Sequence, residues 1–187
     1  MSATWRRGLA WTLSVLSVVV WLVAVEVSAR WSAAPPARLV AAITGVEALG
    51  FDGVVRQRGR SDCGAAALAM VLASFDRPVP VELLEDELPI GPRGTSMLAL
   101  RDSAARHGLE ATGWRVSWAH LASVPLPAIA FVDGDHFVVV LRADASMVEL
   151  ADPSRGRLRL SRRAFARRWR GEILTFQSIR STSEARR

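Results

Sequence analysis

Cys63 is the only cysteine in a chain of 187 residues. A lone cysteine is commonly a small buried hydrophobe. Its setting here points further, because it lies in Ser61-Asp62-Cys63-Gly64, just ahead of an apolar helical stretch over 65–75. Asp62 or Ser61 can serve as the helix N-cap. The thiol then sits on the first turn, where the macrodipole and free N–H groups favour a thiolate. Gly64 leaves room for a substrate backbone. Gln57, six residues upstream, can donate an N–H toward a developing oxyanion, with the Cys63 backbone N–H as second donor.

A thiol nucleophile needs a base, ordinarily a histidine brought close in space. The chain has three. His107 ends a predicted helix before Gly108, where a cation suits the dipole, so it reads as a cap. His120 has no evident partner. His136 follows Asp133-Gly134-Asp135 and opens an apolar run. A hairpin centred on Asp144 would pair residues whose numbers sum to 288. That register sets His136 opposite Asp152 on one face, with Cβ atoms about 5 Å apart. Val138–Leu150 and Val140–Val148 would be apolar pairs on the same face. A carboxylate so placed holds the imidazole tautomer and stabilises the imidazolium. A slip of one residue would put the two on opposite faces.

The elements that must position these groups follow from periodicity and punctuation. After the helix over 65–75, stopped by Arg77-Pro78, come a short helix over 81–87 and a Pro/Gly turn over 89–94. Thr95 is the expected cap of a helix running to about His107, with Gly108 as its stop. Apolar runs over 127–132, 137–141 and 147–151 have strand length, and 109–116, 157–160 and 173–176 also read as strands. Ser161 caps a basic helix to about Arg168. Helices first and antiparallel strands after mean α+β, not a doubly wound sheet.

The stretch from Gln57 to Met70, Gln57-Arg58-Gly59-Arg60-Ser61-Asp62-Cys63-Gly64-Ala65-Ala66-Ala67-Leu68-Ala69-Met70, resembles the Q-x5-C-G-x-A-x-L-x-M signature of cysteine peptidase family thirty-nine, the papain-like, bacteriocin-processing peptidase domains. Gly94-Thr95-Ser96 with His107-Gly108-Leu109, then His136–Val140, then Asp152–Gly156, resemble the family's later blocks in the same order. The match runs from about Val54 to Phe176. The resemblance implies a papain-like α+β fold with Cys63 as nucleophile, His136 as base, Asp152 as orienter and Gln57 in the oxyanion hole. It also implies cleavage of a peptide after a double glycine at the end of a leader, often beside an ABC exporter. Here the expectation is a separate exporter polypeptide or none, since the sequence carries no six-helix transporter unit and no P-loop. The papain motif C-G-[SA]-C-[WY] is replaced by Cys63-Gly64-Ala65-Ala66-Ala67. Two other readings stay open. One is a non-catalytic peptide-binding module of an export or assembly system. The other is a different Cys-triad enzyme, an acyl transferase or amidase.

Composition bounds the rest. Half of the residues are hydrophobic, which excludes a disordered chain. One cysteine and three scattered histidines exclude an intramolecular disulfide and argue against a zinc site, and no cofactor is expected. The net charge of +6 is uneven: residues 154–187 hold eleven Arg against two Glu, and the remainder is mildly acidic. Arg162, Arg163, Arg167, Arg168 and Arg170 gather on or beside one short helix. They read as a solvated face or as contacts to anionic lipid headgroups. Without aromatic interleaving, nucleic acid is not an expected partner.

Gly8–Val25 is an eighteen-residue run without charge, preceded by Arg6 and Arg7. Such a helix would span about 27 Å, close to a bilayer core. It reads as a single-pass anchor in the cytoplasmic membrane with the body outside, or as a signal cleaved near Val27-Ser28-Ala29, which would leave the body secreted. The expected organisation is an anchor or signal over 1–30, a spacer over 31–50, a peptidase-like domain over 51–178 and a polar basic tail over 179–187.

Overall fold

The helix that carries Cys63 has no polar side. Its sequence, Cys-Gly-Ala-Ala-Ala-Leu-Ala-Met-Val-Leu-Ala-Ser, is apolar all round, and every residue from Cys63 to Leu72 is buried. A helix of that composition can only be an interior one, and the other elements are arranged about it. The computed structural model describes Val20 and residues 37–59, 61–91 and 94–179. The chain divides into two units, residues 1–36 and 37–187. The run 8–25 lies outside the described residues apart from Val20. Among the described residues no helix is long and apolar enough to cross a membrane.

The described elements run, in chain order, α1 (Ala37–Thr44), β1 (Val46–Gly50), α2 (Cys63–Ser74), α3 (Val81–Glu87), α4 (Met97–Arg106), β2 (Leu109–Arg115), α5 (Trp118–Leu121), β3 (Ala128–Val132), β4 (His136–Ala143), β5 (Met147–Asp152), β6 (Gly156–Ser161), α6 (Arg162–Ala166) and β7 (Trp169–Ser178). Seven strands form one antiparallel sheet in the order β1-β6-β5-β4-β3-β7-β2. The expected α+β architecture is present. Residues 37–50, read from the sequence as part of a spacer, form α1 and the edge strand β1, which pairs with β6.

Strand alternation divides the core between the two faces of the sheet. On one face α2, α3 and α4 cover Ile129, Phe137, Val139, Ala151 and Leu174. On the other, α5 and α6 bring Leu121, Ala164 and Phe165 against Val138, Val140, Val148, Leu150 and Ile173. Both faces of the central strands are therefore buried. That is why 137–141 is a continuous apolar run and not an alternating one.

Two local expectations are corrected. Ser96, not Thr95, caps α4: its side chain accepts from the Ala99 N–H at 3.1 Å. Thr95 is instead drawn into the interior against α2. The β4–β5 hairpin does not follow the register centred on Asp144. Val139 faces Ala151 and Val140 faces Leu150, so the numbers sum to 290, and the register shifts between Val140 and Arg142. The predicted partners Val138–Leu150 and Val140–Val148 are thus displaced. The cause is the loop: the Asp144 carboxylate accepts from the N–H groups of Ser146 and Met147, which closes a wider turn. Up to Val140 the displacement of two keeps each side chain on its predicted face; past the shift the numbers sum to 291, and Ala143 joins Val148 on the face opposite Leu141.

Candidate active site

Cys63 is the first residue of α2 and is almost fully buried. Asp62 occupies the N-cap position, yet its carboxylate does not cap the helix. It accepts from the Gly59 N–H at 2.6 Å. The helix start thus has no side-chain cap, and its first-turn N–H groups remain available to a thiolate or an oxyanion. Gly64 has a different role from the one its position suggested. A Cβ there would clash with Thr95 Cγ2. The space beside Gly64 is filled by the protein's own packing, not kept open for substrate.

His136 is the first residue of β4 and Asp152 the last of β5, so both lie at one end of the sheet. His136 Nε2 is 2.8 Å from Asp152 Oδ1. The same oxygen accepts from the Ser154 N–H at 2.9 Å and the Ser154 hydroxyl at 2.7 Å. Asp152 is fully buried and its Oδ2 accepts no hydrogen bond. Burial opposes charge on the His136 ring. The hydrogen bond to Asp152 and the neighbouring Cys63 outweigh that and raise its pKa from 6.5 to about 9. Burial also opposes charge on Asp152, but the hydrogen bonds from His136 and Ser154 lower its pKa to about 2. The two groups hold each other in the charged forms. With Nε2 committed to Asp152, Nδ1 is the ring nitrogen left to exchange a proton with the thiol.

Gln57 is joined to this end of the sheet through its backbone, its N–H donating to the Pro153 carbonyl at 3.1 Å. Its side-chain N–H does not point to an open oxyanion site. It donates to the Gly59 carbonyl at 2.7 Å, while Oε1 is buried without a partner. Cys63, His136 and Asp152 are thus brought together, and Gln57 stands beside them with its donor engaged in its own loop.

The other two histidines lie elsewhere. His107 is the C-cap of α4 and its Nε2 is 2.8 Å from Glu87 Oε2; His120 Nδ1 is 2.9 Å from the Ser117 hydroxyl. Among the described residues no group of acidic, His and Cys side chains could hold a metal. Two contributors were missed. Ser154 could have been found as the residue two past a buried Asp, where an Asx-type bond is ordinary. Arg168 was assigned to the basic face. It is mostly buried, it pairs with Asp133 through both carboxylate oxygens, and its Nη2 lies 4.0 Å from Asp152 Oδ2. No local sequence signal marks it.

A buried thiol at an uncapped helix start, beside an imidazole fixed by a carboxylate, is equipment for acyl transfer through sulfur. Comparison with known proteins gives the class. The Peptidase C39 family model matches residues 52–181, and the chain belongs to that family of cysteine peptidases. An archaeal protein of unassigned function from Methanothermobacter marburgensis is 32% identical over 129 residues, 69% of this chain and 91% of that one. The probable functional amyloid protease FapD of Pseudomonas aeruginosa is 31% identical over 134 residues; the match covers 66% of this chain and 59% of FapD. The solved structure of a double glycine motif protease from an AMS/PCAT transporter, in complex with the leader peptide, aligns with a TM-score of 0.64 and 31% identity, over 67% of this chain and 90% of that one.

Proposed function

We propose that this cysteine peptidase is an endopeptidase that cleaves a peptide or protein after a Gly-Gly-type leader site, with Cys63, His136 and Asp152 as its triad. The observation that carries the reading is the 2.8 Å His136–Asp152 bond at the sheet end beside the thiol. The Cys63 thiolate attacks the scissile carbonyl carbon. The oxyanion is received by the Cys63 backbone N–H and by Gln57, once its amide leaves Gly59. Imidazolium His136 gives its Nδ1 proton to the leaving amine, which departs and leaves a thioester. Water then attacks with its proton passing to Nδ1, and the thiolate is released. Asp152 keeps its charge throughout and holds the ring.

The likeness to a double glycine motif protease supports the Gly-Gly preference. The likeness to FapD supports a substrate that belongs to an export or assembly system. Residues 8–25 would anchor the chain in the cytoplasmic membrane with the catalytic body outside, or be removed as a signal. N-terminal sequencing of the mature protein separates these two outcomes.

The first test labels the full chain with a thiol alkylator across pH 4–9, beside His136→Ala and the unfolded protein. Labelling of wild type much faster than of the unfolded thiol, and slowed in His136→Ala, is expected. Labelling no faster than the unfolded thiol would make Cys63 a packing residue and sink the proposal. Incubation with Gly-Gly-containing leader peptides then tests the substrate, and capture of an added amine in place of water would mark an acyl transferase.

A further inference from the structure

The hydrogen-bond ladders do not explain why His136 and Asp152 meet. His136 is tied to β3, where it pairs with Val132 across the Asp133-Gly134-Asp135 turn. Asp152 is tied to β6, where it pairs with Gly156. The β4–β5 pairing that would join them begins only at Val139 and Ala151. At the site the two strand ends are therefore linked by side chains alone. One link is the His136–Asp152 bond. The other passes through Arg168, which lies between α6 and β7.

We propose that Arg168 is a positioning residue that clips the turn bearing His136 to the strand end bearing Asp152. On one side its guanidinium grips Asp133, three residues before His136, with Nε and Nη2 at 2.6–3.1 Å from the two carboxylate oxygens. The same Asp133 gives its backbone N–H to the Arg168 carbonyl at 2.8 Å. On the other side Nη2 stands 4.0 Å from Asp152 Oδ2, the oxygen that accepts no hydrogen bond. Asp152 Oδ1 is already taken by His136 and Ser154. The carboxylate is thereby hydrogen-bonded through Oδ1 and faced by the guanidinium charge at Oδ2, which fixes its orientation. The fork geometry of arginine matters here, because lysine cannot grip Asp133 with two donors and face Asp152 as well. The groups facing Asp152 are His136 from β4, Ser154 from the following turn and Arg168; those facing His136 are Asp152 and Cys63.

This inference rests on the proposed triad, but its test need not. The experiment follows the His136 ring by NMR titration in the full chain, in wild type, Arg168→Met and Asp133→Asn, alongside the alkylation rate of Cys63 and the melting temperature. If Arg168 positions Asp152, Arg168→Met lets the carboxylate turn, the titration of His136 falls toward its ordinary range, and alkylation drops on the order of 10²-fold. Asp133→Asn leaves Arg168 beside Asp152 and moves both readings less, for a similar loss of melting temperature. If the Asp133–Arg168 pair only braces a turn, both substitutions cut the same bond and act alike, with His136 unmoved; that result overturns the proposal. A rise in the His136 titration in Arg168→Met would also overturn it, by showing Arg168 as a repelling charge and nothing more. Should Arg168→Met not fold, Arg168→Lys is expected to lower the titration in the same direction by less, and an unmoved titration there is equally decisive. A wild type that cleaves nothing and labels slowly would sink the triad, while the ring titration would still report whether Arg168 sets the pair.

Discussion

The two halves of the site are built to different standards. On the sheet side, Asp152 is fully buried, one of its oxygens takes three hydrogen bonds, the other faces Arg168, and His136 is held in turn. On the helix side, the backbone of the loop before Cys63 is tied to the sheet end through the Gln57 N–H and the Pro153 carbonyl, but the side chains of Gln57 and Asp62 bond within the loop, to the Gly59 carbonyl and the Gly59 N–H. Gln57 Oε1 stays buried without a partner, and the tether of Arg58 to Glu82 and Glu85 is exposed. In the proposed mechanism the base is set before substrate arrives, whereas the oxyanion donor has to exchange one partner for another. A charged pair in a buried site must be fixed in advance, because an unpaired charge there is costly. A neutral amide can change partners at the cost of one hydrogen bond.

The largest expected effect removes the proposed nucleophile. Cys63→Ala should abolish turnover in a leader-peptide cleavage assay while leaving the melting temperature close to wild type, since the smaller side chain fits the same buried place. Asp152→Asn tests the rigid half. It should lower kcat by about 10³–10⁴-fold and return the His136 titration toward 6.5, as followed by NMR. Gln57→Ala tests the adjustable half, with a loss of about 10²–10³-fold in kcat and little change in melting temperature. An equal loss of stability in the last two variants would remove the contrast between the halves.

Two smaller effects sharpen it. Gly64→Ala drives a methyl group into Thr95 Cγ2 and should cost about 1–3 kcal/mol in chemical denaturation. Thr95→Ser, which removes that carbon, should relieve most of the loss. The pH profile of stability reports the rigid half directly. Folding raises the His136 pKa to about 9, so its contribution is complete below 6.5 and is lost as pH rises through 9. Folding lowers the Asp152 pKa to about 2, so its contribution is complete above 3.8 and is lost as pH falls through 2. Melting temperature should therefore plateau from about pH 4 to 6.5 with a drop on either side, and Asp152→Ala should flatten both drops.

Much of the helical half was legible because its signals are local. The helix over 81–87 has the bounds the sequence implies, and Gly108, at φ +81°, closes α4 as expected. The helix carrying Cys63 starts two residues earlier than the apolar pattern suggested, because Cys63 and Gly64 are themselves interior. The sheet half was legible in face but not in register. Parity survived a displacement of two, so His136 and Asp152 keep a common face; the Asp144 loop, which the sequence could not size, set the displacement. Thr95 looked like a cap because its neighbour Ser96 offers the same chemistry one residue later. Packing against Gly64 settled which of the two turns inward.

The sequence by itself determined the order of elements and the four residues worth following. An uninterrupted apolar helix, a thiol at its start and a histidine opening a strand are patterns written in consecutive residues. The tertiary structure alone decided that Gln57 spends its donor on Gly59, that the space at Gly64 belongs to Thr95, and that one arginine of a basic cluster turns inward to the carboxylates. The last two depend on chain segments brought together by folding, Thr95 against Gly64 across 31 positions, and Arg168 against Asp133 across 35 and facing Asp152. Helical and strand periodicity carry no trace of such pairings, because a charge near the chain's basic end looks the same whether it faces water or a buried Asp.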